Sequence, residues 1–250
     1  MLALALTALF VTAPLSSAEV TALLHSIDER QWHGSDYKAL AYVQAKERDK
    51  TDIVYELLVY RRDADARLMF LFVAPKAERG KGYLRIDKNL WLYDPKLGSW
   101  ERRTERERLG GTDSRRGDFD ASRLAEEYDG AYEGEEKLGA FEVYRLKLSA
   151  KADVDVAFPT ERLWVDKASR NVLKVQEYAL SGKLMRTSYY PRWKHVVGAN
   201  KRESIWYPEE IRIYDELRAG SSTLILVKSV DLRPLDANLF SKAWLEAQSR

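Results

Sequence analysis

Cysteine is absent from all 250 residues. Its absence excludes disulfide staples, thiolate metal ligands and the cysteine at which bacterial lipoproteins are acylated. Histidine is scarce: only His25, His33 and His195 are present. The first two stand eight apart, not at the spacing of four that points two imidazoles at one metal, so neither a metal nor a cofactor is expected. The nucleophile-elbow pattern G-x-S-x-G is missing. So are the glycine-rich phosphate loops G-x-G-x-x-G and G-x-x-x-x-G-K-[ST]. The acidic pairs Glu126-Glu127 and Glu135-Glu136 read as solvated charges, so no catalytic residue is assigned and the chain is not read as an enzyme. Charge of one sign is lacking too: 41 basic residues are interspersed with 39 acidic ones, for a net charge of +2. Nucleic-acid binding would want a one-sided basic stripe, and none is seen. The mixed cluster ERRTERER at 101–108 reads as a solvated hairpin end.

Long apolar runs are missing except at the start, where MLALALTALFVTAPLSSA carries no charge. Its apolar part is shorter than the roughly 20 residues a membrane span needs, and Pro14 and Ser16-Ser17-Ala18 resemble a cleavage site. Residues 1–18 are therefore expected to be an export signal cleaved near Ala18. No basic residue precedes the run, which departs from the usual pattern. Residues 19–250 are expected to form one exported, periplasmic domain with no more than transient membrane contact.

After the signal, Val20, Leu23, Leu24 and Ile27 share one helix face, and Gly34 and Ser35 are expected to end that helix. From Tyr37 onward short apolar stretches follow one another with brief polar punctuation, which predicts hairpins and an antiparallel meander. In a strand, successive side chains point to opposite faces. In the middle strands both faces are apolar: Ile53, Tyr55, Leu57 and Val59 oppose Val54, Leu58 and Tyr60, and Leu68, Phe70 and Phe72 oppose Met69, Leu71 and Val73. The stretch LWLYDPKLGSWERR repeats this, with Leu90 and Leu92 opposite Trp91 and Tyr93. Residues 109–129 break the pattern as a polar insertion, helical from about Asp120 to Tyr128, with Asp118 or Asp120 as its cap. Strands resume at AFEVYRLKLSAK, with Arg145, Lys147, Lys174 and Glu177 at positions expected to be wet. A short helix around NLFSKAWLEAQ closes the chain.

The order FLFVAP, GKGYLRIDKNLWLYDP, GDF, LWVDKASRNVLKVQEY and DLRPLDANLFS resembles the outer-membrane lipoprotein-sorting family, whose fold is that of the carrier LolA. The resemblance implies a mainly β fold with some α: a strongly curved antiparallel sheet, or unclosed barrel, with helices over its concave face and an apolar cavity between. It implies a periplasmic carrier that takes up the acyl chains of a lipid or lipoprotein and passes them toward the outer membrane. An inner-membrane transporter of the resistance-nodulation or ATP-binding-cassette type is a candidate partner. The other reading is a sensing or interaction module like RseB, or an accessory to such a transporter. Pro75, Leu90, Trp91, Tyr93, Pro95, Phe119, Leu239 and Phe240 sit where the family tends to have these types. Arg123 stands where it often has an acid.

Apolar surface exceeds what one core needs; helices covering both faces of the middle strands would account for it equally well, and it is the resemblance that favours a cavity, with Phe70, Phe72, Trp91 and Tyr93 as its expected lining. Of the two faces of the LWLY arm, the Trp91–Tyr93 side is favoured as concave over the Leu90–Leu92 side. An empty cavity costs about 24 cal/mol per Å³. The first helix and residues 109–129 are therefore expected to close over it and to move on loading.

Overall fold

The computed structural model describes residues 14–32, 36–86, 89–104, 107–198 and 204–249. Most of the expected signal and the expected helix stop at Gly34 and Ser35 lie outside these residues. The first helix, α1 (Ser17–Gln31), starts across the expected cleavage point: Ser16 accepts from the Glu19 backbone N–H while the Glu19 carboxylate accepts in return. This reciprocal cap satisfies two donors that a helix start leaves free. Val20, Leu23, Leu24 and Ile27 are its buried residues.

Thirteen strands follow: β1 (Asp36–Lys46), β2 (Ile53–Arg62), β3 (Arg67–Ala74), β4 (Gly82–Ile86), β5 (Asn89–Asp94), β6 (Ser99–Arg103), β7 (Tyr128–Leu138), β8 (Phe141–Ala150), β9 (Thr160–Asp166), β10 (Val172–Tyr178), β11 (Leu184–Val197), β12 (Ser204–Asp215) and β13 (Ser222–Asp231). All belong to one antiparallel sheet in the order β6-β5-β4-β3-β2-β1-β13-β12-β11-β10-β9-β8-β7. Every neighbour is therefore a sequence neighbour except at the β1–β13 seam. The sheet curves into an unclosed barrel. Its two free edges, β6 and β7, are consecutive in the chain, and of the segment that joins them the described residues 107–127 run across the concave side.

Strand β7 is a correction to the sequence reading, which assigned no strand between Asp129 and Leu138. The stretch DGAYEGEEKL lacks apolar alternation because it is an edge, where charges and glycine are tolerated and useful. Gly130 has a definite role there: a Cβ would stand 2.7 Å from Val20 Cγ1 and 3.0 Å from Leu24 Cδ1. Only a bare backbone lets α1 seat on β7. The expected helix at 120–128 is also corrected, since only α2 (Leu124–Glu127) is helical. Its free N–H groups are capped neither by Asp118 nor by Asp120. Asp28 of α1 accepts from Leu124 N and Ala125 N at 2.9 and 2.8 Å, so α1 and α2 form one unit.

The apolar excess of β2–β5 is consumed by two protein covers. On the concave side, Leu68, Phe70 and Phe72 pack with Leu90, Leu92, Tyr83 and the crossing segment's Leu109 and Phe119. On the convex side, Met69, Leu71, Leu84 and Tyr93 pack under Leu239, Phe240 and Leu245 of the C-terminal segment, which ends in α3 (Lys242–Gln248). Not every helix of this fold lies inside the curve. The Asp94–Gly98 corner has the expected chemistry: Asp94 accepts from Lys96 N at 2.9 Å, and Gly98 has a φ of +60°.

Candidate functional site

Period-two alternation decides which side chains β8–β13 present to the concave side. Leu163 and Val165, Val172 and Val175, Ile211 and Ile213, and Ile225 all face inward and are buried. The same phase brings charged residues inward. Across β9, β10 and β11 the register sets Glu161 opposite Glu177 and Glu177 opposite Arg186, so one polar row crosses an apolar floor.

Between this floor and the cover lies a cavity of about 250 Å³. Val59, Leu163, Val175, Ile205, Ile225 and Val227 form its apolar side, and residues 115–124 with Gln31 of α1 form its roof. One end is polar. Arg186 gives two hydrogen bonds to Glu177 and two to Asp118 of the crossing segment, the latter at 2.8 and 3.0 Å. Burial opposes the charge on Arg186, but the two carboxylates outweigh it and raise its pKa. Burial pushes Glu177 up against the pull of Arg186. Glu161 has no arginine of its own. Burial and the neighbouring Glu177 charge push its carboxyl up to about 8, which leaves it largely protonated at neutral pH. The Tyr128 hydroxyl lies 3.0 Å from Glu161 Oε1 and 3.0 Å from the Phe158 carbonyl. The hydroxyl of Tyr190, a half-buried residue that also lines the cavity, is raised too, chiefly by desolvation.

The crossing segment is tied down at several points. Asp113 accepts from Arg108 and Arg218 at 3.0 and 2.6 Å and from Ser221 Oγ at 3.0 Å. Asp120 binds both Arg85 and Arg116. Burial would raise Asp120, but the two guanidinium groups hold it below the usual carboxylate range. Tyr55 Oη donates to the Gly110 carbonyl at 2.6 Å. Removing one partner of a buried pair costs about 3–5 kcal/mol, so residues 108–120 are firmly docked. The α1–α2 unit is held mainly by apolar contact and, at its end, by Arg30, which bonds Asn171 Oδ1 at 3.0 Å and stacks 4.7 Å from the Trp206 ring.

Of the four expected lining residues, Phe70 and Phe72 face the concave side, but neither lines the cavity. Phe70 packs edge-on to Phe119 at 5.1 Å and Phe72 to Tyr55 at 5.1 Å, which fills that space with protein. Trp91 and Tyr93 are on the other side, a correction to the favoured orientation. Tyr93 packs on Trp100 at 5.0 Å under α3, and Lys242 Nζ sits 3.9 Å from the Trp91 ring. The arm turns Leu90 and Leu92 inward because the inner position faces Phe119 and Leu109, while the outer one faces the amphipathic α3. Glu177, expected to be wet, is buried. The signal available for it was that Glu177 shares a face with Val175, and Glu161 with Leu163 and Val165. Among the described residues no group of three His, Cys, Asp or Glu side chains could hold a metal ion, and no helix is long and apolar enough to cross a membrane.

A family model described as an uncharacterized protein matches residues 64–247. Among curated proteins no sequence matches the chain. A LolA superfamily protein from Nitrosomonas europaea superposes with a TM-score of 0.75 at 22% identity, over 89% of this chain and 97% of that one. An outer membrane lipoprotein-sorting protein domain from Vibrio parahaemolyticus does so with a TM-score of 0.78 at 19% identity, over 92% and 100%. A DUF1329 family protein from Desulfovibrio piger gives 0.79 at 19% identity, over 90% and 97%. The chain therefore belongs to the family that this model describes, and its fold is that of the LolA-like, outer-membrane lipoprotein-sorting proteins.

Proposed function

We propose that this protein is an exported, periplasmic carrier that shelters an acyl chain in the cavity above β9–β13 and the adjoining β1 and β2, and releases it to an acceptor toward the outer membrane. The observation that carries this reading is the cavity itself: an apolar floor of Val59, Leu163, Val175, Ile205, Ile225 and Val227 under a cover made of separate chain segments. Each CH₂ moved out of water gains about 0.8 kcal/mol, so a chain of about 16 carbons gains roughly 10 kcal/mol or more. That cost of exposure prevents free diffusion through an aqueous compartment. Shelter requires no catalytic group.

At about 250 Å³ the cavity falls just below the roughly 300–1,000 Å³ of small-molecule sites, so loading requires part of the cover to lift. The crossing segment from 108 to 120 is docked by buried ion pairs, whereas α1 and α2 sit mainly on an apolar seat, joined to each other through Asp28 and tied to the sheet by single hydrogen bonds such as Arg30 to Asn171, Arg61 to the Gln31 carbonyl and Lys151 to the Ala125 carbonyl. The α1–α2 unit is then the part that moves. This narrows the sequence expectation, which had all of 109–129 moving with the first helix.

Hydrogen exchange with and without a fatty acid tests this. Protection should change in 17–31 and 121–127 and stay constant in 108–120; unchanged exchange in α1 and α2 defeats the moving-cover reading. Val227→Trp, which places a ring in the void from a half-buried position, should lower the affinity for a fluorescent fatty acid at least tenfold. Parent protein that never binds such a probe and never co-purifies with lipid defeats the carrier reading.

A further inference from the structure

The cavity is lined by five arginines, and four of them have carboxylate partners. Arg61 pairs with Asp63 at 2.6 Å, Arg116 with Asp120, Arg123 with Glu126 at 2.7 Å, and Arg186 with Glu177 and Asp118. The fifth, Arg115, is paired with no carboxylate among the described residues. Its guanidinium lies 4.9 Å from the Phe158 ring, its Nε is buried without a hydrogen-bond partner, and its backbone N–H is fixed by Asp118 Oδ2 at 2.7 Å. Phe158 also carries Arg186 at 5.7 Å, so two cations share one ring and only one of them is neutralised.

Arg115 is half-buried, and a guanidinium partly withdrawn from water without a hydrogen-bonded counter-ion is unfavourable. Burial first, and then the Arg186 charge, act against the protonated form of Arg115. Its planar fork matches carboxylate and phosphate oxygens. The neighbouring acids meet this need only in part: Glu177 and Asp118 attract Arg115, but both are hydrogen-bonded to Arg186 and burial outweighs them. Glu161, which faces Tyr128, Glu177, Arg186 and Glu127, is largely neutral at pH 7 and does not repel an anion.

We infer that Arg115 receives the anionic head, a phosphate or a carboxylate, of an acyl amphiphile whose chain lies on the floor formed by Val59, Ile205 and Ile225. The inference rests on the carrier reading and adds ligand class to it: the cargo is an anion, held head-first beneath the crossing segment.

Titration of four probes into the parent and into Arg115→Gln and Arg115→Lys tests it: decanoate, decyl phosphate, decanol and inorganic phosphate. Hydrogen bonds to a charged group correspond to about tenfold to a hundredfold in affinity. The parent should therefore prefer both anionic amphiphiles over decanol by at least about tenfold. R115Q should bring that ratio close to one, and R115K should keep part of it. Because the ratio is read within each variant, a general loss of folding cannot imitate the result. Equal affinity for decanoate and decanol in the parent, or an undiminished ratio in R115Q, overturns the inference and leaves the carrier reading standing. Inorganic phosphate binding as tightly as decyl phosphate overturns it in favour of a free-anion site. If none of the three amphiphiles binds, the carrier reading falls and the inference falls with it.

Discussion

The concave side of the sheet has two halves built on opposite principles. Over β2–β5 the crossing segment and the strands meet ring to ring, with Phe70, Phe72, Tyr83 and Phe119 closing all the space. Over β9–β13 the same cover meets a polar row, Glu161, Glu177 and Arg186, flanked by aliphatic side chains, and a cavity remains. The more apolar half is thus the filled one. A wall that is apolar on both faces reports two layers of protein cover, whereas a cavity needs a boundary that packing cannot close. Here that boundary is the layer of buried ion pairs, whose geometry holds the roof at a fixed height above the floor.

The largest expected break in this comparison is Phe70→Ala. Phe70 is 1% exposed, and removing a core phenylalanine costs about 3–5 kcal/mol, readable as a drop in the urea midpoint. Affinity for a fatty acid should not change in the folded variant; a change would mean that the two halves share one site.

Next in size is a pH effect confined to the open half. Glu161 keeps its proton up to about 8 in the folded protein, against a usual value of 4.5. Between those values the native state holds a proton that the unfolded chain has released. The contribution is fully present below about 4.5 and is lost as pH rises toward 8. Denaturant melts should show stability falling over that window, and Glu161→Gln, whose amide oxygen can still accept from Tyr128, should flatten the fall. An identical slope in E161Q would show that this carboxyl is not the group involved.

The smallest effect sharpens the contrast between concave and convex faces. Trp91→Ala removes a ring that Lys242 covers on the outside, a contact worth about 0.5–2 kcal/mol. Lipid affinity should match that of the parent, and a tenfold loss would return Trp91 to the concave side.

Much of this was legible in the sequence. The face of α1, the meander from Tyr37 and the Asp94–Gly98 corner follow from local spacing and turn chemistry. Strand β7 was hidden because an edge with Gly130 and Gly134 has no apolar rhythm; its structure comes from pairing with β8. The roles of Asp118 and Asp120 were hidden for another reason. Each looked like a helix cap in a window of a few residues, but their partners Arg186 and Arg85 lie 68 and 35 positions away. The orientation of Trp91 and Tyr93 depended on which cover lay on which side, which period two alone cannot decide. Glu177 shares the buried phase of Val175 within its own strand, but its charge reads as wet until its partner is in view. Its row with Glu161 and Arg186 exists only once three strands are in register.

The connection from β6 to β7 has a mechanical consequence. It starts at one free edge of the sheet and ends at the other, so it acts as a bowstring across an arc. Without it, nothing covalent near the opening would oppose flattening of the sheet. The studs along the string at Asp113, Asp118 and Asp120 divide it into short spans, each fixing the depth of the curve beneath it. The size of the hollow is therefore set by where a chord is fastened rather than by how a barrel closes.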